Sequence, residues 1–301
     1  MAKSKLEIDY RYQKSVSYSQ FSMYSQCQYQ WYLSYVKKYK IFKPGIHLLY
    51  GTSLHEALQE FLRLMYSESI KAAEDMDIAS YFEERMISNY KSDLEQNNNQ
   101  HYCKKEEFIE FVQDGKESLE WFVKHRAKYF SKKDTELVGI EIPILQRVTE
   151  YSPDVLLQGY IDLILYHKTV DRYTIFDIKT STRGWGDKEK KDATKLSQIL
   201  LYKRFYSNAL GIPEDKIDVK FFIVKRKIYE NTDFAIPRIQ EFVPANKSKK
   251  VEEAYSRLES FIKECFTPDS KYNTERVYLK NPSSCKYCPY NDKPELCDKK
   301  N

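Results

Sequence analysis

Glycine is scarce in this 301-residue chain, with 8 in all, and none stands in a Gly-x-x-x-x-Gly-Lys-Ser/Thr run. A phosphate-cradling loop of that kind, and the nucleotide-driven motor it serves, are thereby excluded. Any motor that this protein needs must come from a partner. Apolar runs long enough to cross a bilayer are missing, and the opening Met-Ala-Lys-Ser-Lys-Leu-Glu-Ile-Asp has no signal-peptide core. The expectation is a protein with no membrane contact, in a cytoplasm whose reducing conditions discourage disulfides. Internal repeats and low-complexity tracts are absent too. Charge of one sign is not in surplus: a net +5 permits a polyanionic partner without requiring one.

What is present is a globular composition, 42% hydrophobic and 31% charged, with 26 tyrosines. Tyrosines can stack on bases, yet most are expected as core or surface filler. Basic residues cluster at Lys37-Lys38-Tyr39-Lys40, Lys188 to Lys191 and Lys225-Arg226-Lys227, each read alone as a solvated face. Residues 15 to 40 read as a helix, with Phe21, Tyr24, Cys27, Trp31 and Tyr35 three or four apart. After a break at Lys43-Pro44-Gly45 a second helix is expected from Thr52-Ser53, with Ser53 and Glu56 spaced as a capping box. Its stripe is Leu54, Ala57, Leu58, Phe61, Leu62 and Met65, and His55 falls in its first turn. Residues 67 to 130 are charged and helical, interrupted at Glu95 to Gln100, and no Gly/Pro/Ser linker marks them as a separate domain.

From Glu136 the periodicity changes. Strands are expected at Leu137 to Leu145, Val155 to Tyr166, Tyr173 to Thr180 and Ile217 to Lys225. A loop with Arg183-Gly184-Trp185-Gly186 leads to a helix from Ala193 to Leu210, stopped by Gly211 and Pro213, and a last helix spans Ser248 to Cys265. This order predicts an α/β core with a mixed sheet. Two adjacent strands carry Asp162, Asp177 and Lys179, and the polar insert His167 to Arg172 suits a hairpin that sets Asp162 beside the second strand. Alternation puts Asp177 and Lys179 on one face and Ile178 toward the core. Two carboxylates beside an ammonium group make a poor core and a good site for a hard divalent cation and a water, the chemistry of phosphodiester hydrolysis.

Gly159-x-x-Asp162 followed by Asp177-Ile178-Lys179 resembles the PD-(D/E)xK nuclease superfamily in its RecB-like branch. Gln198-Ile-Leu-Leu-Tyr202 is similar to that branch's Gln-x-x-x-Tyr motif, and Gly51-Thr-Ser-Leu-His55 to its Gly-x-x-x-His segment. The resemblance implies a restriction-endonuclease-like α/β core, with a mixed central sheet flanked by helices. Its expected layout is one nuclease domain: an N-terminal helical segment (1–50), a helical insertion (51–135), the core (136–265) and a Cys-rich tail (266–301). It implies Mg²⁺ or Mn²⁺ held by His55, Asp162, Asp177 and the Ile178 carbonyl, with Lys179 acting on water or phosphate. Gln198 and Tyr202 would position DNA. Glu141 is a further acid on the preceding strand, equally readable as solvated. The implied activity is a deoxyribonuclease, an exonuclease on single strands or duplex ends in recombination, repair or end processing, in a bacterial or phage-infected cell. The same fold would also serve a CRISPR spacer-processing nuclease, an endonuclease or a non-catalytic DNA-binding scaffold.

Cys285-Lys-Tyr-Cys288 and Cys297 form a second constellation, which needs a fourth thiolate to close a tetrahedral site. Composition alone leaves Cys27, Cys103 and Cys265 open. Resemblance to iron–sulfur members of the branch, the AddB type and the CRISPR-associated adaptation nucleases, implies Cys27 and a [4Fe–4S] cluster. Zinc is the alternative for four thiolates. Cys103 and Cys265 read as small buried hydrophobes.

Overall fold

The computed structural model describes residues 14–39, 41–229 and 234–298. Lys40 of the first basic cluster and the opening residues of the chain lie outside them. The chain divides into two compact units, one taking residues up to Ile41, Pro143–Tyr160 and Glu252 onward, the other Phe42–Ile142 and Ile161–Val251.

The described residues form six strands: β1 (Lys14–Ser17), β2 (Thr135–Arg147), β3 (Val155–His167), β4 (Arg172–Ser181), β5 (Ile217–Lys225) and β6 (Ile239–Phe242). Their hydrogen-bonded order is β1-β3-β4-β5-β6, with β2 also on β3. The sheet is mixed: β1 runs parallel to β3 and β4 parallel to β5, whereas β3–β4 and β5–β6 are antiparallel. The helices are α1 (Tyr18–Gln26), α2 (Gln28–Trp31), α3 (Ile46–Ser67), α4 (Ile70–Glu74), α5 (Ile78–Gln96), α6 (Lys105–His125), α7 (Asp187–Lys191), α8 (Ala193–Leu210) and α9 (Ser248–Cys265). This is the α/β architecture expected from the sequence. No helix among the described residues is long and apolar enough to cross a membrane.

In the second unit the apolar stripe of α3, including Leu54, Leu58, Phe61 and Met65, shares one core with Phe82 and Met86 of α5 and with Leu119 and Phe122 of α6. Leu163, Phe176, Ile178 and Phe222 join it from the sheet. Each such side chain contributes roughly 1.5–3 kcal/mol by leaving water, so α3 is anchored along its whole length. The helix begins at Ile46, a turn and a half before Thr52, with Gly45 as its N-cap. Ser53 is thus buried in mid-helix and accepts from Asn89 Nδ2 at 3.1 Å, while Glu56 takes Arg85 and Asn89. The expected capping box is a pair of tertiary contacts instead.

In the first unit the expected helix over 15 to 40 is interrupted. Lys14–Ser17 pairs with Val155–Gln158 as a strand, and Ser17 caps α1 by accepting from the Gln20 N–H. Cys27 then breaks the helix in an extended conformation (φ −157°, ψ 110°). Trp31, fully buried, anchors the next turn among Phe261, Phe266, Tyr272 and Tyr278. Tertiary aromatic packing therefore overrides a continuous helical pattern.

Candidate active site and cysteine centre

The β3–β4 hairpin forms over the polar insert as expected, with pairing from His167↔Arg172 to Leu163↔Phe176. The next residue on each strand is an acid, Asp162 or Asp177. Beyond this point a side chain takes over from the backbone ladder: Asp162 Oδ2 accepts the Ile178 N–H at 2.6 Å. Asp177 is only 1% exposed. The Lys179 ammonium stands 2.8 Å from Asp177 Oδ2, but off the line of an aligned hydrogen bond, and neither Asp177 oxygen has such a partner. A buried carboxylate left in this state loses its hydration without full replacement.

His55 arrives from α3, with Nδ1 3.9 Å from Asp162 Oδ2. Gly51, one turn earlier, has a local reason to be glycine: a Cβ there would stand 3.2 Å from Thr180 Oγ1, tighter than most contacts. From α8, Gln198 Oε1 accepts from Lys179 Nζ at 2.9 Å, and its Nε2 donates to the Tyr202 hydroxyl at 3.2 Å. Since an ammonium only donates, the amide has one orientation, and the Tyr202 O–H is left free to donate outward.

Electrostatics follow from burial. Desolvation raises Asp162 to about 6 against the pull of Lys179 and the Ile178 N–H. It raises Asp177 to about 6 as well, with Asp162 adding and Lys179 and His55 opposing. Burial, reinforced by Lys179, lowers His55 to about 4, so its imidazole is neutral near pH 7. Burial also opposes the Lys179 charge, but Asp177 and Asp162 outweigh it and its pKa is raised. Burial keeps Tyr202 protonated far above the usual phenol range.

The structure thus brings His55, Asp162, Asp177, Ile178, Lys179, Gln198 and Tyr202 together. Gln59, one turn beyond His55, was missed by sequence reasoning. Its Nε2 donates to Glu141 Oε1 at 2.6 Å and to the Asp162 carbonyl at 3.3 Å. Glu141 itself sits at φ +50°, a left-handed kink in β2, and its charge reaches His55 and Asp162. Of the basic clusters, Arg226 and Lys227 are tied to Asp114 and Glu110.

In the first unit Cys27, Cys285, Cys288 and Cys297 line one cavity. The tail is stitched to the helix break around Cys27. Asn281 Nδ2 and Ser284 Oγ donate to the Gln26 carbonyl at 2.7 and 2.9 Å, and the Tyr29 N–H donates to the Leu279 carbonyl at 3.0 Å. All six cysteines are free thiols, and Cys265 is wholly buried elsewhere. Burial raises Cys288 and Cys297, and both feel Cys27 and Cys285. Among the described residues no group of three or more His, Cys, Asp or Glu side chains is drawn to metal-holding spacing. The fit rests on donor chemistry: four convergent thiols in one unit, and in the other the buried, unsatisfied Asp177 oxygens together with an Asp162 carboxylate that faces the His55 imidazole.

No match is found among the curated proteins. A family model, described as the PD-(D/E)XK nuclease superfamily, matches residues 15–293, a span that holds the Asp162, Asp177 and Lys179 signature. The chain belongs to the PD-(D/E)XK nuclease superfamily.

Proposed function

We propose that this protein is a Mg²⁺- or Mn²⁺-dependent deoxyribonuclease, acting as an exonuclease on single strands or duplex ends in recombination, repair or related end processing. One observation carries the reading: Asp177 is buried with neither oxygen in an aligned hydrogen bond, the Lys179 ammonium its near neighbour and Asp162 across the hairpin. His55, Asp162, Asp177 and the Ile178 carbonyl would hold the cation. When bound, it supplies Lewis-acid polarisation of the phosphate and a more acidic water.

The chain's own groups do the rest. Lys179, protonated near neutral pH, donates toward the oxygen on which negative charge develops. Gln198 fixes the reach of that ammonium and turns the Tyr202 hydroxyl outward as a donor for a phosphate oxygen. Gln59 steadies Glu141 and the Asp162 backbone. In the first unit, Cys27, Cys285, Cys288 and Cys297 are read as the ligands of a [4Fe–4S] cluster, with zinc the alternative. Its role is a clasp between the N-terminal helices and the tail. A helicase or recombination protein would act as a separate partner.

Digestion of end-labelled single-stranded and duplex DNA with Mn²⁺ or Mg²⁺, resolved by product length, is the test. Progressive shortening from ends is expected, and lost in Asp177→Ala and Lys179→Ala. Intact DNA that still binds the protein would overturn the reading in favour of a scaffold.

A further inference from the structure

The α5–α6 hairpin in the second unit carries a cavity of about 550 Å³ that the catalytic groups do not use. Its walls are largely apolar and aromatic, with Tyr90, His101 and Phe108 among them, and Lys91, Lys104 and Lys105 also line it. No acidic side chain is in the lining. Among the described residues the ammonium groups of these three lysines make no hydrogen bond or ion pair, unlike the side chains of Arg226 and Lys227, which acids neutralise. Glu106 and Glu107 nearby sit in the first turn of α6, where they complement the helix N-terminus.

The aromatic wall is built rather than incidental. Tyr90 packs against Tyr102 and Phe108 at centroid distances of 5.0 and 5.2 Å. The exposed His101 ring lies nearly parallel to Tyr90, at 21°, with a 2.9 Å hydrogen bond between the Tyr90 hydroxyl and His101 Nδ1. Asn98 and Asn99, both at positive φ, make the tight turn between the helices, and Asn97 Nδ2 clamps the Gln100 carbonyl at 2.7 Å. A flat, held π surface beside unpaired ammonium groups matches a base and its phosphates. The volume falls within the roughly 300–1,000 Å³ usual for small-ligand pockets.

We propose that this pocket binds a nucleotide unit of single-stranded nucleic acid, the base against the His101–Tyr90 wall and the flanking phosphates on Lys91, Lys104 and Lys105. The proposal deepens the nuclease reading, since it names where the unpaired strand is held. It is tested by binding alone, in chelator and without divalent metal, so a protein that fails to hydrolyse DNA can still bind here.

The test uses full-length protein and a short oligodeoxythymidylate. Lys104→Glu with Lys105→Glu is expected to weaken binding about tenfold or more and to lower the salt slope by about one per lysine. His101→Ala is expected to weaken binding roughly tenfold. Saturating oligonucleotide should also protect Cys103, which lines the same cavity, from alkylation followed by mass spectrometry. Wild-type affinity in the lysine variant, no oligonucleotide binding at all, or equal Cys103 labelling with and without saturating oligonucleotide overturns the assignment. Protection that grows with protein concentration alone also overturns it and gives the pocket to a second copy of the chain.

Discussion

Lys179 is shared between two elements: its ammonium sits 2.8 Å from Asp177 on its own strand and donates to Gln198 of α8 over 2.9 Å. The amide therefore determines where a half-buried cation points. Gln198→Ala should lower kcat on DNA about ten- to a hundredfold, on the order of 1–3 kcal/mol, with melting temperature nearly unchanged. Tyr202→Phe should lose less, because the ring stays packed and Gln198 Oε1 still accepts from Lys179, while the outward donor and the acceptor for Gln198 Nε2 are removed. Steady-state kinetics with circular dichroism decides, and wild-type turnover in Gln198→Ala would show that Lys179 needs no guide.

The two acids give a pH prediction with a definite sign. Each carboxyl is raised by burial to about 6 in the folded protein, above its ordinary value. Between those limits the folded state holds more protons than the unfolded one, so metal-free stability falls as pH rises through about 4 to about 6. Above that window the coupled pair costs on the order of 1–3 kcal/mol. Asp177→Asn should therefore melt higher than wild type at pH 8 without metal, with Asp162 remaining as partner for Lys179, and the gap should close near pH 4. Mn²⁺ must displace the protons, so its stabilising effect should appear above about pH 6 and fade below it. Thermal melts across pH, with and without Mn²⁺, read both effects. An Asp177→Asn variant less stable at pH 8 than at pH 4, relative to wild type, would contradict the burial argument.

Much of this site is legible in the sequence because its logic is local. Alternation alone sets Asp177 and Lys179 on one face, and the polar run from His167 to Arg172 announces the hairpin that aligns Asp162. The limits of α8 and β5 are readable too, since Gly211 at φ +65° and an abrupt change of period mark the junction between them. What stays hidden depends on distant partners. β1 is four residues whose ladder lies more than a hundred positions downstream. Gln59 reads as the polar interval in an amphipathic stripe until Glu141 kinks toward it from β2. The break at Cys27 follows an aromatic periodicity that looks continuous, and only the tail packed around it explains the extended backbone.

Gly51 offers a test of how closely α3 must approach the sheet. In an open helix Gly→Ala stabilises by about 1 kcal/mol. Here the new methyl meets Thr180 Oγ1 at 3.2 Å, so the helix or the threonine must give by a few tenths of an ångström. His55 lies one turn further along. Gly51→Ala is expected to keep or raise the melting temperature while lowering kcat roughly tenfold, since small misplacements of a catalytic group are expensive. Full activity would mean that Thr180 yields alone and His55 does not move.

Cys27 tests whether the cysteine cavity is a metal centre or a packing accident. As a packing residue, a half-buried thiol changed to serine costs little, for the hydroxyl can donate where Sγ now stands 4.0 Å from the Leu279 carbonyl. As a ligand, its loss removes one of four thiolates and lets the tail leave the helix break that Asn281 and Ser284 now hold. Anaerobically purified wild type should be brown, with iron and acid-labile sulfide in proportion to protein. Cys27→Ser should lose most of that content and melt earlier, while Cys103→Ser, whose thiol lines the other unit's pocket, keeps both. Zinc in place of iron would change the metal and keep the ligands. A Cys27→Ser protein with full metal content would remove Cys27 from the set.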